Sequence, residues 1–187
     1  HYGSAASFIG LGSDPDGNVT TYSWSSSIDG SLSSSRNFTS NSLSAGNHTI
    51  YFKVRDDDNQ WSTEVSTWLK VNSYPVVNIT SISPNPAYRN DLNGTTTYFN
   101  SSSSDSDGSV TNYYWNSSKD GTLSTSGSFT TSVNTLSLGN HTISLRVRDN
   151  DGAWSTATSY IMVKSYPNAT INSISHTVAH NGTQVTF

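Results

Sequence analysis

The sequence repeats itself with a period of about ninety residues, and this repeat limits what the chain can fold into. Asp14 returns as Asp105, 91 residues later, and Val54 returns as Val147, 93 residues later. Five stretches recur in the same order: 12–17 with 103–108, 22–27 with 113–118, 46–50 with 139–143, 54–56 with 147–149, and 73–75 with 165–167. A unit of this length is the size of a small domain, so the repeat predicts an array of similar small domains rather than one large core.

Each repeat has the pattern of short β-strands separated by tight turns. In residues 50–55 and 143–148, apolar side chains alternate with other side chains, as in a strand with one face in a core and the other in water. Asp-Gly and Gly-Asn pairs, which favour turns, separate such stretches. No segment keeps a helical period over three turns. The sequence therefore predicts an all-β fold of tandem β-sandwiches of about 90 residues each.

The two ends of the chain predict an incomplete first domain. The second repeat opens with an apolar stretch, 76–82, that predicts a first strand, and the first repeat has no counterpart of it. The tail contains such a stretch at 168–174, after the second repeat is complete. We therefore divide the chain into a sandwich that lacks its first strand (1–73), a complete sandwich (74–165), and the first strand or strands of a further unit, or a donated strand (166–187).

Two interpretations of this offset stay open. Residues 1–8 match residues 180–187 at a constant offset of 179, as a window cut from a longer periodic protein would show. Alternatively, the tail of one chain completes the first sandwich of the next chain, which would produce a filament. In either case an unfilled first-strand position would expose apolar surface and an unpaired strand edge, so we expect a strand to occupy it.

The composition excludes several classes of function. Ser and Thr account for 61 of the 187 residues, and the nine Lys and Arg are scattered within a formal net charge of −4, so no basic patch for nucleic acid is present. No apolar run approaches the length of a membrane-spanning helix, so no span is predicted in this segment. Because the chain has no Cys, cores of this size must gain stability from neighbours, ions or bound strands.

Acidic residues gather in two loops of each repeat, where they are candidate calcium ligands. The candidates are Asp14, Asp16 and Asp56 in the first repeat and Asp105, Asp107 and Asp149 in the second. Calcium prefers six to eight oxygen ligands, which such loops can supply. Asp is also a common turn residue, because its side chain accepts hydrogen bonds from nearby amides, so a role in the turn alone stays open. Apart from a structural Ca²⁺, no cofactor is predicted.

The sequence also contains ten Asn-x-Ser/Thr sequons, which are candidate sites for N-linked glycans in an exported protein. They are Asn18, Asn37, Asn47, Asn78, Asn93, Asn100, Asn116, Asn140, Asn168 and Asn181. Several adjoin turns, where a glycan can point outward. We therefore predict that several of them are glycosylated.

The aromatic residues predict packing more than binding. Four Trp recur at equivalent places in the two repeats, which predicts that they pack between the sheets: Trp24, Trp61, Trp115 and Trp154. Trp68 and its counterpart Tyr160 have the opposite strand parity to their apolar neighbours Leu69 and Ile161, and are predicted to be partly exposed.

No catalytic constellation is found in the sequence. There is no Cys nucleophile, and the five His show no zinc-ligand spacing. The paired Asp residues lie on turns rich in solvent-facing residues, where a pKa suited to acid–base catalysis is difficult to obtain. The chain is therefore predicted not to be an enzyme.

The order of these motifs resembles the PKD (polycystic kidney disease) domain family, in the form common on archaeal cell-surface proteins. The matching motifs are Asp-x-Asp-Gly ahead of Tyr-x-Trp, Gly-x-His-Thr-Ile, and Val-x-Asp-x-Asp-x-x-Trp-Ser. The resemblance covers essentially the whole chain, although residues 24–30 and their counterparts differ from the Trp-Asp-Phe-Gly-Asp-Gly of the family. It implies Ig-like sandwiches of seven strands, roles in adhesion, spacing or assembly outside the cell, and calcium binding near the acidic loops of some members.

Together these features predict an extracellular or cell-surface structural repeat protein, such as a filament, surface-layer or stalk component. Its expected partners are further copies of itself, joined in tandem or by strand complementation, and N-linked glycans. The alternative is a carbohydrate- or protein-binding accessory module of a secreted enzyme, with Trp68 and Tyr160 as its candidate contact residues.

Overall fold

The computed structural model describes residues 3–89 and 95–173, and the regular structure in these ranges is almost entirely β-strand. Hydrogen-bonded sheets divide the strands into a first unit, Ala6 to Val71, and a second unit, Val76 to Ser165. A single turn of 3-10 helix, Val133–Thr135, is the one helical element in the described residues. The predicted all-β sandwich fold is confirmed.

The first unit packs a four-stranded sheet against a two-stranded sheet. Its strands are β1 (Ala6–Ile9), β2 (Val19–Ser26), β3 (Gly30–Ser33), β4 (Asn37–Ser40), β5 (Gly46–Asp56) and β6 (Val65–Val71). The larger sheet has the order β3-β2-β5-β6 and the smaller one pairs β1 with β4, all antiparallel.

The second unit has the same plan with additional strands. They are β7 (Val76–Ser83), β8 (Ala87–Arg89), β9 (Thr96–Ser104), β10 (Val110–Ser117), β11 (Gly121–Ser124), β12 (Phe129–Ser132), β13 (Gly139–Asp149) and β14 (Trp154–Ser165). One sheet has the order β11-β10-β13-β14-β8, with β8 parallel to β14, and the other has the order β12-β9-β7. Strands β9 and β12 correspond to β1 and β4 of the first unit.

The repeated sequence builds the same aromatic core in both units. In the second unit, the Phe99 ring meets Trp115 edge-on at 5.9 Å and stacks on Phe129 at 4.5 Å between ring centroids. In the first unit, Phe8 meets Trp24 edge-on at 5.7 Å and stacks on the ring of β4 at 4.4 Å. In each unit, an inward-facing Trp of the larger sheet therefore packs against two stacked Phe rings of the smaller sheet, and these contacts join the two sheets.

Compensating residues fill the two cores. Phe52 of β5 occupies the position that Leu145 occupies in β13. A Cβ at Gly10 would lie 2.6 Å from the Phe52 ring, so this position needs Gly to let the larger ring fit. The second unit has Ser101 at the same repeat position, beside the smaller Leu145. The two cores thus have the same strand arrangement but are filled by different pairs of residues, Gly10 with Phe52 and Ser101 with Leu145.

Candidate interaction sites at the ends of the units

The first unit has an open groove where β7 lies in the second unit. β7 pairs with β9 and packs Val77, Ile79 and Ile82 onto the core of the second unit. β1 pairs with β4, and no strand of residues 3–89 borders its other edge. This edge opens into a groove of about 290 Å³. Its apolar lining consists of Ile9, Leu11, Trp24, Ile50, Phe52 and Val65.

Apolar side chains line the rim of this groove, and the inward-facing Trp24 is slightly more exposed than its counterpart in the second unit. Trp24 is 7% exposed, whereas its counterpart Trp115 is 0% exposed. At the rim, Ile9, Leu11 and Val65 are 74%, 76% and 60% exposed. An apolar groove beside an unpaired strand edge has the form of a site for an added strand.

The tail carries a sequence that matches this groove. Its repeat positions 169, 171 and 174 hold Ala, Ile and Ile, where β7 has the core-facing Val77, Ile79 and Ile82. Residues 166–173 form no strand, and Ile171 is 79% exposed. Residue 174 lies outside the described residues. The match between residues 1–8 and 180–187 also lies partly outside them, because residues 1, 2 and 180–187 are not described.

A second candidate site lies where the first unit meets the second. Here the C-terminal strand end of the first unit, residues 70–73, contacts the acidic loops of the second unit. Asn72 Nδ2 donates to Asp149 Oδ2 at 2.9 Å, the Ser73 amide donates to both carboxylate oxygens of Asp107 at 3.2 Å, and Lys70 Nζ donates to Asp151 Oδ2. We call the carboxylates of Asp105, Asp107, Asp149 and Asp151 the acidic pole of the second unit. Sequence reasoning found three of its four members but missed Asp151 and the strand end that contacts it.

Two buried carboxylates of this pole, Asp149 and Asp105, differ in whether hydrogen bonds compensate their negative charge. Burial opposes ionisation of Asp149, but hydrogen bonds from Asn72 and the amides of Ala153 and Asp151 outweigh it and hold the pKa of Asp149 below its ordinary value. Asp105 differs, because both of its carboxylate oxygens are buried with no donor in hydrogen-bonding geometry. Burial raises the pKa of Asp105; the Asp107 amide opposes this effect, and the neighbouring carboxylates of Asp107 and Asp149 add to it.

The first unit has an equivalent acidic pole, formed by Asp14, Asp16, Asp56, Asp57 and Asp58. Hydrogen bonds to backbone amides hold two of these side chains in place: Gln60 N donates to Asp56 Oδ1 at 2.7 Å, and Asn18 N donates to Asp57 Oδ1 at 3.0 Å. The Asn18 amide lowers the pKa of Asp57, whereas burial, followed by the Asp16 side chain, raises the pKa of Asp14. The loop thus holds like charges close together at one end of the unit.

The geometry of these poles gives arguments both against and for the predicted calcium sites. Within residues 3–89 and 95–173, no group of three or more His, Cys, Asp or Glu side chains is placed to hold a metal ion. The two donor-free oxygens of Asp105 are the feature that fits a cation, and the Lys70 ammonium already lies against the same pole. Calcium binding by the six candidate residues stays a prediction.

A buried polar network, which sequence reasoning did not identify, lies at the opposite end of each unit. His141 Nε2 is 2.7 Å from the Ser137 carbonyl oxygen, so this nitrogen carries the proton, and Nδ1, at 2.8 Å, accepts from the Ser117 hydroxyl of β10. Asp120 lies 3.3 Å from the same Nδ1. Because Ser117 and Asp120 converge on one ring nitrogen, and Ser117 is 2% exposed, this set is not arranged as a catalytic triad.

The same network occurs in the first unit, where His48 lies 2.6 Å from Ser26 and 2.8 Å from the Ser44 carbonyl oxygen. Asp29 lies close to His48 Nδ1, as Asp120 does to His141 Nδ1. Hydrogen bonding from Ser44 lowers the pKa of Asp29. The sequence signal was available, because His48 has the same strand parity as the inward-facing Ile50.

The Trp prediction is correct for one pair and wrong for the other. Trp24 and Trp115 are in the cores, but Trp61 and Trp154 are 45% and 38% exposed. They lie under outward-facing cations of the neighbouring strand: Lys53 and Arg55 are 5.3 and 5.5 Å from the Trp61 ring, and Arg146 and Arg148 are 4.7 and 5.9 Å from the Trp154 ring. Recurrence of these two Trp therefore reflects cation–π stacking on the surface.

Most of the predicted glycan acceptors are accessible. Asn18, Asn37, Asn47, Asn78, Asn100, Asn140 and Asn168 are exposed, Asn116 is half-buried in β10, and Asn93 and Asn181 lie outside the described residues. The Asn37 oxygen accepts from Gly10 N at 3.1 Å, and Asn100 Nδ2 donates to Ser81 Oγ at 3.0 Å. Glycosylation stays a prediction.

No helix in the part of the chain that the structure describes is long and apolar enough to cross a membrane. No protein-family model matches the chain.

Among solved structures, the chain is similar to the fibronectin(III)-like modules of Clostridium thermocellum CbhA, with 19% identity, 87% of each chain covered and a TM-score of 0.43. It is also similar to the PKD1 domain of Vibrio anguillarum Epp, with 25% identity over 51% of this chain and 100% of that chain and a TM-score of 0.41. A third similar structure contains the three N-terminal domains of the bacteriophage RB49 outer capsid protein Hoc, with 18% identity, 86% of this chain and 58% of that chain covered, and a TM-score of 0.40. Because all three TM-scores lie below 0.5, the fold is established by the sheets and cores of this chain, and its function is inferred from its own residues.

Proposed function

We propose that this chain is an extracellular structural protein whose copies join end to end by strand complementation. In this proposal, the tail segment 168–174 of one copy occupies the groove of the first unit of the next copy. The open groove beside β1 is the observation that carries the proposal. The second unit supports it by showing how β7 closes the same position within one chain.

The fit between tail and groove is both apolar and polar. Ile at positions 171 and 174 would enter an apolar groove, where burying an Ile side chain contributes about 1.5–3 kcal/mol. The backbone of the added strand would pair with the free edge of β1, as β7 pairs with β9. The binding free energy must exceed the entropic cost of fixing in one conformation residues 168–173, which form no strand within the single chain.

The remaining surface is compatible with a role outside the cell. A third of the residues are Ser or Thr, Cys is absent, and seven sequon asparagines of the described residues are exposed. Such a surface stays soluble while offering hydroxyl groups and glycan acceptors. A cell-surface filament, surface layer or stalk, including one of the archaeal type that the motifs resemble, is the form of assembly that we propose.

The proposal is tested with the whole chain by replacing one core-facing residue of the tail. Ile171→Asp would place a charge in the apolar groove, so we expect it to prevent assembly. Asn172→Asp introduces the same charge at the counterpart of Thr80, which is exposed in β7, and should leave assembly intact. Light scattering coupled to size-exclusion chromatography, together with electron microscopy, measures the polymers.

Two results would contradict the proposal. One is a wild-type chain that stays monomeric at the highest attainable concentration. The other is equal assembly of Ile171→Asp and the wild type, which would show that the tail does not enter the groove.

A second candidate function, a carbohydrate-binding module, is favoured by the exposed aromatics. Trp68 is 81% exposed and Tyr160, at the same position of the second unit, is 64% exposed. Flat aromatic faces of this kind stack on sugar rings. Retention on insoluble cellulose or chitin that is lost in Trp68→Ala would support this function, and absence of retention would oppose it.

A further inference from the structure

The joint between the two units shows what a pole of this kind binds, and the first unit has a pole of the same kind. We infer that the acidic pole of the first unit binds the C-terminal strand end of the second unit of another copy, residues 162–165, through Lys164 and the Ser165 amide. This inference rests on the proposed end-to-end assembly and names a second, polar contact within it.

Repeat equivalence assigns the partners. Ser165 is the counterpart of Ser73, whose amide donates to Asp107, and Asp16 is the counterpart of Asp107. Lys164 is likewise the counterpart of Asn72, the residue that donates to the buried Asp149. The occupied pole of the second unit is therefore a template for the contacts at the pole of the first unit.

Burial distinguishes the covered strand end from the uncovered one. Within the chain, Asn72 is 5% exposed and donates to Asp149 of the second unit, and Pro75 is buried. At the end of the second unit, the equivalent Lys164 and Pro167 are exposed. The strand end of the second unit thus presents to solvent the surface that the first unit buries.

Charge complementarity favours this partner. The joint within the chain places one ammonium group, from Lys70, against the carboxylates. The second unit has Met162 at the position of Lys70, but Lys164 follows two residues later on the same strand face, so the positive charge is retained. The receiving pole has Asp57 where the second unit has Asn150, and therefore one additional carboxylate.

The spacing along the chain connects this contact with the groove. Val76, the first residue of β7, follows Ser73 by three residues, and Asn168 follows Ser165 by three residues. A copy docked through residues 162–165 would therefore bring its tail segment to the groove of the same first unit. One docking event would then satisfy both sites.

The experiment reverses charges on the whole chain and measures the concentration for half-maximal assembly by sedimentation velocity at low salt. Lys164→Glu should raise this concentration at least about tenfold, because like charges would face each other across the joint. Adding Asp58→Lys to Lys164→Glu should recover most of the loss; Asp58 is exposed, and its replacement leaves the Asp56–Gln60 hydrogen bond unchanged. Arg146→Glu, which makes the same change of charge in the middle of β13, is the matched control.

The outcomes separate this inference from the proposed function. If Lys164→Glu assembles like the wild type while Ile171→Asp remains monomeric, strand complementation stands and the polar contact is wrong. Equal weakening by Lys164→Glu and Arg146→Glu would also overturn the inference, because it would reflect net charge alone. If Ile171→Asp assembles and Lys164→Glu does not, the polar contact stands without the donated strand. A monomeric wild type would overturn both.

Discussion

Replacing His141 by Leu tests whether the buried network at the end of each unit stabilises the fold. The ring is 0% exposed and makes two hydrogen bonds, to the Ser117 hydroxyl and to the Ser137 carbonyl oxygen. Leu has a similar volume but no polar atom, so the Ser117 hydroxyl would lose its acceptor inside the protein. Ser137 is exposed, so water can compensate its carbonyl group in part.

The expected loss follows from these two bonds. A buried group left without a partner costs about 1–3 kcal/mol, and a hydrogen bond that water can replace contributes about 1 kcal/mol. We therefore expect His141→Leu to lower the free energy of unfolding of the second unit by about 3 kcal/mol. For a domain of about 90 residues this corresponds to a fall in Tm of roughly 12–24 °C.

Hydrogen exchange in urea, followed by mass spectrometry, assigns the effect to one unit because peptides of β13 and β5 are read separately. The first unit, with His48 unchanged, is the internal reference. Thr142→Ser, on the exposed face next to His141, keeps the Asn140 sequon and should change stability by less than about 0.5 kcal/mol. If His141→Leu changes stability as little as this control, the network does not contribute to the stability of the fold.

Two further predictions concern the acidic pole of the second unit. In EGTA, Asp105→Asn should raise the free energy of unfolding by roughly 1 kcal/mol, because it removes a buried carboxylate whose pKa is raised by burial. If calcium raises the Tm of the wild type and of this variant equally, Asp105 is not a calcium ligand. The ionised Asp149 stabilises the fold instead, because hydrogen bonds outweigh burial and its pKa is lowered on folding. This stabilisation is fully present above the unfolded pKa of about 4 and is lost as the pH falls from there through the lowered folded pKa. Asn72→Ala should therefore flatten the acid limb of stability in urea titrations between about pH 5 and 2, and an unchanged profile would count against this account.

The strands could be predicted from the sequence because their signal is local. Alternation along β5 and β13 depends on which face of one strand is buried, and the observed burial follows it from His48 to Val54 and from His141 to Asp149. Such features need no knowledge of how distant parts of the chain meet.

The joint between the units could not be predicted in this way. Asn72 and Lys70 have no pattern that distinguishes them from surface residues, and their role depends on a contact with residues about eighty positions away. The prediction that Trp61 and Trp154 pack in the core was wrong for a related reason. Recurrence in a repeat shows that a position is equivalent in both units, but it does not show on which side of the sheet the side chain lies. Parity, which places His48 and His141 inside, is the better guide.

The two proposed contacts have different physical roles at the same joint. If the proposed contacts form, the apolar groove would supply binding energy that depends little on salt, whereas the acidic pole would act through charges that salt screens. A contact between the end of one copy and the start of the next uses two different surfaces, and such a heterologous contact extends into an open chain unless its rotation closes a ring. Salt should therefore slow the encounter of copies more than it dissociates polymers already formed, because charge complementarity mainly affects association and buried apolar side chains mainly affect dissociation.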